Sequence, residues 1–144
     1  MKNILLLFLL CSSAKASFYP QGKSFYPNKE GKGSRQEVIQ LVQNTAADIQ
    51  KNAAFTLKKI NQQKAPYFNE NSACPYIFVF GIPKKTTAAK TIPILASHAR
   101  NPRLVGKRLN GKTDKNGHAF REEIVQRALK EGNGWVEYLY LNPD

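Results

Sequence analysis

The sequence predicts an α+β domain in which one long helix packs on an antiparallel sheet. Three observations predict it: a helical period over residues 35–64, two short apolar runs at 75–80 and 92–98, and a short helical pattern at 120–132 followed by an apolar run at 134–141. Strands and helices do not alternate as a parallel sheet requires, so an antiparallel sheet with helices on one side is favoured. The 144 residues suffice for one domain with one modest core.

The first sixteen residues (1–16) are typical of a cleaved secretory signal. Lys2 precedes an unbroken apolar run, and Ala14 and Ala16 form an A-x-A pattern. The apolar run is about half as long as a membrane-spanning helix. We therefore expect cleavage after Ala16 and a periplasmic or secreted chain without an integral membrane segment. Two alternatives stay open, namely membrane anchoring through an uncleaved N-terminal segment and lipidation of Cys11.

Removal of the signal would change both the charge and the cysteine count. The formal net charge is +12 at pH 7, of which Lys2 and Lys15 contribute two units, so +10 would remain. Such a charge favours attraction to anionic surfaces. Nucleic-acid binding is not expected, because the lysines are scattered and resemble no recognition module. Cys74 would be the only cysteine left, which excludes an intramolecular disulfide.

Residues 17–33 predict an extended arm. The tetrapeptide SFYP occurs twice, in a context rich in Gly, Pro and Lys, and this punctuation is too dense for a helix or a central strand. The four aromatic side chains could pack along the domain or meet a partner. The repeat could also be a chance duplication in a flexible leader.

The remaining residues, 34–144, are expected to form the single domain, which opens with the long helix. Ser34 and Glu37 have the spacing of a capping box, and Pro66 is expected to end the helix. The apolar positions recur every three or four residues and form one stripe, which comprises Val38, Leu41, Val42, Ala46, Ile49, Ala53, Leu57 and Ile60. A helix of about thirty residues is long for a domain of this size, so we expect it to lie across the sheet.

The predicted strands and the short helix carry their own signals. Tyr76 and Phe78 share one face of the first strand, because side chains alternate along a strand. Pro93 places the start of the second strand at an edge or a bulge. Gly132 is expected to stop the short helix.

The chain lacks the common catalytic and metal-binding motifs. It has no P-loop, GxGxxG, HExxH or GxSxG. His98 and His118 have no cysteine near them in sequence, which is poor for zinc. Asp114 resembles the start of a calcium loop, but no closing glutamate follows at the right distance, so we expect a plain turn. Glu122 and Glu123 are adjacent on a helix and point apart, which is wrong for paired acid–base carboxylates. We expect no enzyme activity, no cofactor and no metal.

Several segments together resemble the single Cache domain of the second type, an extracytoplasmic sensor module of bacterial chemoreceptors and kinases. They are the aromatic strand at 76–80, ASHARNPRLVGKRL at 96–109, DKNG at 114–117, the short helix, and GWVEYLYLNP at 134–143. The resemblance implies a PAS-like antiparallel sheet behind a long N-terminal helix. It also implies binding of small organic acids such as acetate, propionate, pyruvate or lactate, with a role in signal transduction such as chemotaxis.

The chain departs from this family at two places. The family continues with two further strands after the segment that resembles residues 134–143, so the resemblance implies a sheet that lacks them. The loop over 81–91 is longer and more basic than the tight turn usual there. Both differences bear on how complete a ligand pocket is.

Residues 96–107 are the centre of the expected site. A short carboxylate needs a few converging donors in a pocket with apolar walls, and arginine offers a planar fork that matches a carboxylate. The ligand-binding residues expected from the motifs and the predicted strands are Tyr76, Phe78, His98, Arg100, Arg103, Trp135 and Tyr138. The plainer alternatives are core positions for the aromatic residues and solvated positions for the basic ones.

The function that we expect is that of an exported, non-catalytic sensor module for a short organic acid. Its partners would be the small organic anion and a membrane receptor or kinase that receives the signal. The alternative is a cationic periplasmic or secreted interaction protein that binds an anionic surface or partner.

Overall fold

A computed structural model describes residues 4–9, 35–68, 75–82 and 93–138, and for residues 4–9 it describes the backbone alone. In these ranges the chain has two α-helices, α1 (Arg35–Asn61) and α2 (Phe120–Glu131), and an antiparallel sheet. The predicted α+β class is therefore confirmed. The expected arm and the capping residue Ser34 lie outside the described residues.

Helix α1 is not the single long helix that the sequence predicts. Asn52 has non-helical backbone angles, φ −154° and ψ 89°, so a kink divides the element into two helical halves. The Asn52 side chain accepts a hydrogen bond from the backbone N–H of Phe55 at 3.1 Å, which is how an N-cap residue starts a helix. The helix ends at Asn61, before Lys64, and the chain turns at Gln63 with a positive φ of 57°.

The apolar stripe of α1 faces the core as predicted. Val38, Ile49 and Ile60 are buried, and the remaining stripe residues that pack on the core from partly buried positions are Leu41, Val42, Ala53 and Leu57. Two buried threonine hydroxyls are satisfied by the helix backbone, since Thr45 donates to Leu41 O at 2.7 Å and Thr56 donates to Asp48 O at 3.1 Å. The second of these bonds spans the kink.

The sheet has the order β1-β2-β3, with β1 at Ile4–Leu9, β2 at Tyr76–Gly81 and β3 at Ile94–His98. Both pairs are antiparallel, and the β2–β3 register shifts between Val79 and Phe80. β3 begins directly after Pro93, at the edge position that proline favours. Strand β1 lies within the segment that the sequence predicts to be a cleaved signal.

Strand β2 lies at the centre of the core. Its five residues from Tyr76 to Phe80 are all buried, and Val79 has no exposed surface. Because side chains alternate between the two faces of a strand, burial of successive residues means that both faces of β2 are covered.

Helix α2 forms as the sequence predicts. Phe120, Ile124, Val125 and Ala128 are buried, and Gly132 ends the helix with a left-handed φ of 78° while its N–H donates to Ala128 O. Glycine adopts this conformation at little cost, and for this reason it is favoured after a helix.

The closing strand predicted over 134–141 is not formed over its described part, residues 134–138. The ring of Tyr138 instead stacks on Phe120 with centroids 3.9 Å apart, so this segment packs against the start of α2. Residues 139–141 lie outside the described residues. Among the helices that the structure describes, none is both long and apolar enough to cross a bilayer.

Candidate functional site

His98 is the last residue of β3, and the end of α1 fixes its backbone. The side-chain oxygen of Asn61 accepts hydrogen bonds from the backbone N–H of His98 at 3.0 Å and from the hydroxyl of Ser97 at 2.8 Å. Ser97 is fully buried and its hydroxyl also lies 3.2 Å from Leu57 O. Asn61 thereby joins the end of α1 to the end of β3, next to the imidazole of His98.

The imidazole of His98 is held by one hydrogen bond and two aromatic rings. Its Nδ1 accepts the backbone N–H of Asn101 at 2.9 Å. The neutral ring must then carry its proton on Nε2, which is a donor. The ring centroid lies 5.2 Å from that of Tyr76 and 5.7 Å from that of Phe78.

The surroundings keep this imidazole neutral. Burial, and after it the positive charges of Arg121 and Arg100, together lower the pKa of His98 from 6.5 to about 4. At neutral pH the ring is therefore an uncharged donor in a region of positive potential. Such a donor can meet an anion without first taking up a proton.

Arg121 comes from the second residue of α2. Its guanidinium lies 4.2 Å from the centroid of the Phe120 ring, and its Nη1 donates to Lys112 O at 3.1 Å. These contacts hold the side chain at the start of the helix. No motif marks Arg121 in the sequence; only the fold shows that its charge lowers the pKa of His98.

The seven expected site residues fall into separate places. Tyr76 and Phe78 flank His98, and Arg100, two residues further along the chain, lowers its pKa through its positive charge. Arg103 is exposed in a short 3₁₀ helix, Pro102–Leu104.

The two expected residues from the C-terminal segment lie beside α2. Trp135 is half-buried, and Tyr138 is buried against Phe120. The Phe120 ring that Tyr138 stacks on also lies 4.2 Å from the Arg121 guanidinium.

The loop before α2 turns at Asp114. The Asp114 carboxylate accepts the backbone N–H groups of Asn116 at 2.8 Å and His118 at 2.9 Å. Across the part of the chain that the structure describes, no three His, Cys, Asp or Glu side chains are grouped to hold a metal ion.

The two glutamates of the first turn of α2 have different partners. Glu122 accepts the backbone N–H of Gly111 at 2.6 Å, whereas Glu123 lies 2.6 Å from His118 Nε2 and accepts from Arg127 at 2.9 Å. The hydrogen bond from Arg127 is the main cause that lowers the pKa of Glu123. Both carboxylates thus fasten the loop to the helix.

The comparisons with known proteins identify no relative of this chain. No family model, no curated protein and no solved structure matches this chain. The resemblance to the Cache domain therefore stays a prediction, and the case for a function depends on the geometry around His98.

Proposed function

We propose that this chain is an exported, non-catalytic module that binds a small organic anion, in the manner of a sensor domain. The observation that carries the proposal is the state of His98. It is a neutral donor between two aromatic rings, in the field of two arginines.

A short carboxylate fits this chemistry. One carboxylate oxygen would accept the Nε2 proton of His98, and the nearby guanidinium groups would balance the negative charge. Hydrogen bonds in which one partner is charged are about twice as strong as neutral ones. The rings of Tyr76 and Phe78 form apolar surroundings for the imidazole, with centroids 5.2 Å and 5.7 Å from that of His98.

The Cache-like motifs in the sequence narrow the proposed ligand class to acids such as acetate, propionate, pyruvate and lactate. The same resemblance supports a signalling role, in which a membrane receptor or kinase would respond to the loaded module. The predicted leader supports export to the compartment where such acids are sensed.

A specific observation favours a second candidate, binding to an anionic surface. Arg103, Lys107 and Arg108 are exposed on the loop that follows His98, and the chain carries a net charge of +12. A cationic patch of this kind binds anionic surfaces with steep salt dependence and little selectivity.

The test is a thermal-shift and calorimetric panel of the four acids on the full chain and on three variants. His98→Asn keeps an acceptor for the Asn101 N–H but lacks the Nε2 donor, and Arg121→Gln removes the neighbouring charge. Lys130→Gln is the matched control, because it removes one exposed positive charge that is not among the expected site residues and is not a cause of the shifted pKa of His98. We expect the first two variants to weaken binding roughly 10- to 100-fold and the control to leave it within about twofold.

Two results would decide against the proposal. If none of the four acids stabilises the folded wild-type chain, no small-acid site exists. If the acids bind equally to wild type and to His98→Asn, the site lies elsewhere. Binding to anionic vesicles that salt abolishes and His98→Asn leaves unchanged would support the second candidate instead.

A further inference from the structure

We propose that the outward edge of β2 is a strand-acceptor site. In this chain β1 fills it; once β1 is removed, β2 of a second copy of the chain takes its place in antiparallel register. This inference rests on the export that the proposed function includes, but it concerns the sheet edge and not the ligand site at His98.

The backbone hydrogen bonds of Ile77 show which groups form this edge. Its N–H donates to Tyr67 O at 3.2 Å and its C=O accepts from Ala99 N at 2.8 Å, so both groups are used on the β3 side. Successive residues of a strand direct their backbone groups to opposite sides. The N–H and C=O groups of Tyr76 and Phe78 therefore face β1.

The register with β1 agrees with this alternation. Leu9 lies opposite Tyr76, Leu7 opposite Phe78 and Leu5 opposite Phe80. These outward groups on β2 belong to a strand that is buried on both faces. If β1 were lost, they would lack partners in largely apolar surroundings, and buried backbone groups are almost always paired.

The sequence gives a reason for β1 to be lost. Strand β1, Ile4–Leu9, lies wholly inside the predicted signal. Cleavage after Ala16 would remove the whole strand and leave β2 and β3 in place. The edge would then be open in the exported chain.

A second copy is the occupant that the edge fits best. The site takes an extended, uncharged strand of six residues in antiparallel orientation, and Tyr76–Gly81 is itself such a strand, with no proline and no charge. Antiparallel pairing of a strand with its own copy has two-fold symmetry. A register with Phe78 opposite Phe78 and Tyr76 opposite Phe80 would pair every outward group of these three residues with a matching one.

The net charge makes a further prediction about this dimer. Copies that each carry about ten positive charges repel one another, while the pairing edge itself is uncharged. Added salt screens the repulsion. The dimer should therefore become stronger at higher ionic strength, which is opposite to the salt dependence of binding to an anionic surface.

The experiment compares two proline variants of the full chain. Leu7 lies opposite Phe78 and its N–H faces β2, so Leu7→Pro removes a hydrogen bond of the β1–β2 ladder. Leu6 lies opposite Val79 and its N–H faces away from β2, so Leu6→Pro is the matched control. Mass is measured by light scattering and protection of the β2 amides by hydrogen exchange.

We expect wild type and Leu6→Pro to be monomers and Leu7→Pro to be a dimer in which the Phe78 and Phe80 amides stay protected. A synthetic peptide of residues 4–9 with added terminal lysines should return Leu7→Pro to a monomer. If Leu7→Pro alone shows no cooperative unfolding, the same peptide should restore it.

The proposal is overturned if Leu7→Pro is a folded monomer, or if it forms a dimer whose Phe78 and Phe80 amides exchange freely. It is also overturned if the peptide neither dissociates the dimer nor restores folding. A Leu7→Pro monomer that binds the peptide would show that the edge accepts a strand, and would refute a second copy as its occupant.

Discussion

Acidification should destabilise this protein through His98. The pKa of His98 in the folded chain is lowered from 6.5 to about 4, first by burial and then by Arg121 and Arg100. Between these two pKa values the unfolded chain binds more protons than the folded chain, so stability falls as the pH falls from 6.5 through 4. The full loss below pH 4 is about 3 kcal/mol, of which about 2.5 kcal/mol is reached by pH 4.5.

Between pH 4.5 and 6.5, the expected loss of stability comes from His98 and not from Glu123, the carboxylate whose pKa is also shifted. The pKa of Glu123 is lowered from 4.5, chiefly by the hydrogen bond from Arg127. Because a lowered carboxylate pKa stabilises the fold above the unfolded value, this contribution is lost only as the pH falls below 4.5. Titration of Glu123 therefore does not produce the loss expected in the upper window.

The assay is urea denaturation of the full chain at a series of pH values, followed by circular dichroism. Wild type should lose about 2.5 kcal/mol of unfolding free energy between about pH 7.5 and pH 4.5. His98→Asn keeps the acceptor for Asn101 N–H and cannot titrate, so its loss should be less than half as large. His118→Asn replaces the other histidine and should retain the wild-type loss, because His98 is still present.

Two results would refute this reasoning. A wild-type stability that is flat between pH 6.5 and 4.5 would show that His98 is not buried beside positive charge. A parallel fall in wild type and His98→Asn would assign the pH dependence to another group.

Three further substitutions test the contacts that support the site. Asn61→Ala removes the acceptor for both Ser97 and His98 and should lower the free energy of unfolding in urea denaturation by about 2 kcal/mol. A loss below about 0.5 kcal/mol would show that these two hydrogen bonds do not hold the end of β3. Tyr67→Phe removes the 2.8 Å hydrogen bond to the Asp48 carboxylate and should cost about 1 kcal/mol. Burial and that carboxylate raise the pKa of Tyr67 to about 12, so ultraviolet titration should show one tyrosine that ionises late in wild type and not in the variant. Gly132→Ala should cost about 1 kcal/mol from the positive φ alone, since nothing lies within 4 Å of an added Cβ, and an unchanged melting curve would contradict it.

Periodic patterns predicted most of the regular structure. Helix α2, strand β2 and strand β3 lie within two residues of their expected positions, because each has a sharp boundary signal and a clear apolar pattern. The apolar stripe of α1 also faces the core as expected. These features depend on residues that are close together along the chain, so a single sequence is enough to predict them.

Two predictions from the sequence are wrong, and in both places a contact that the local sequence pattern does not show decided the structure. Asn52 sits in a helical period, but its side chain caps a new helical start and so breaks α1. The C-terminal run GWVEYLYL has the composition of a strand, yet over 134–138 it is not one, and Tyr138 stacks on Phe120. Tertiary packing decided against strand pairing at that place.

The residues of the candidate site likewise include some that the sequence predicts and some that it does not. Alternation along β2 puts Tyr76 and Phe78 on one face, and the structure places both beside His98. Asn61 and Arg121 were missed, because they come from the end of one helix and the start of another. Their importance depends on which elements become neighbours, and spacing along the chain carries no information about that.

The apolar run at the N-terminus shows why one segment can satisfy two different predictions. Residues 4–9, ILLLFL, are all apolar and have neither the period of an amphipathic helix nor the alternation of a half-buried strand. A secretory signal needs only such an uninterrupted apolar run, and a strand beside the fully buried β2 needs the same. The surroundings therefore decide the role of this segment: the export machinery would treat it as a leader, and the folded chain uses it as β1. A chain that folds before the predicted leader is cut would bury the strand in the sheet, so the proposed export and folding would compete for the same six residues.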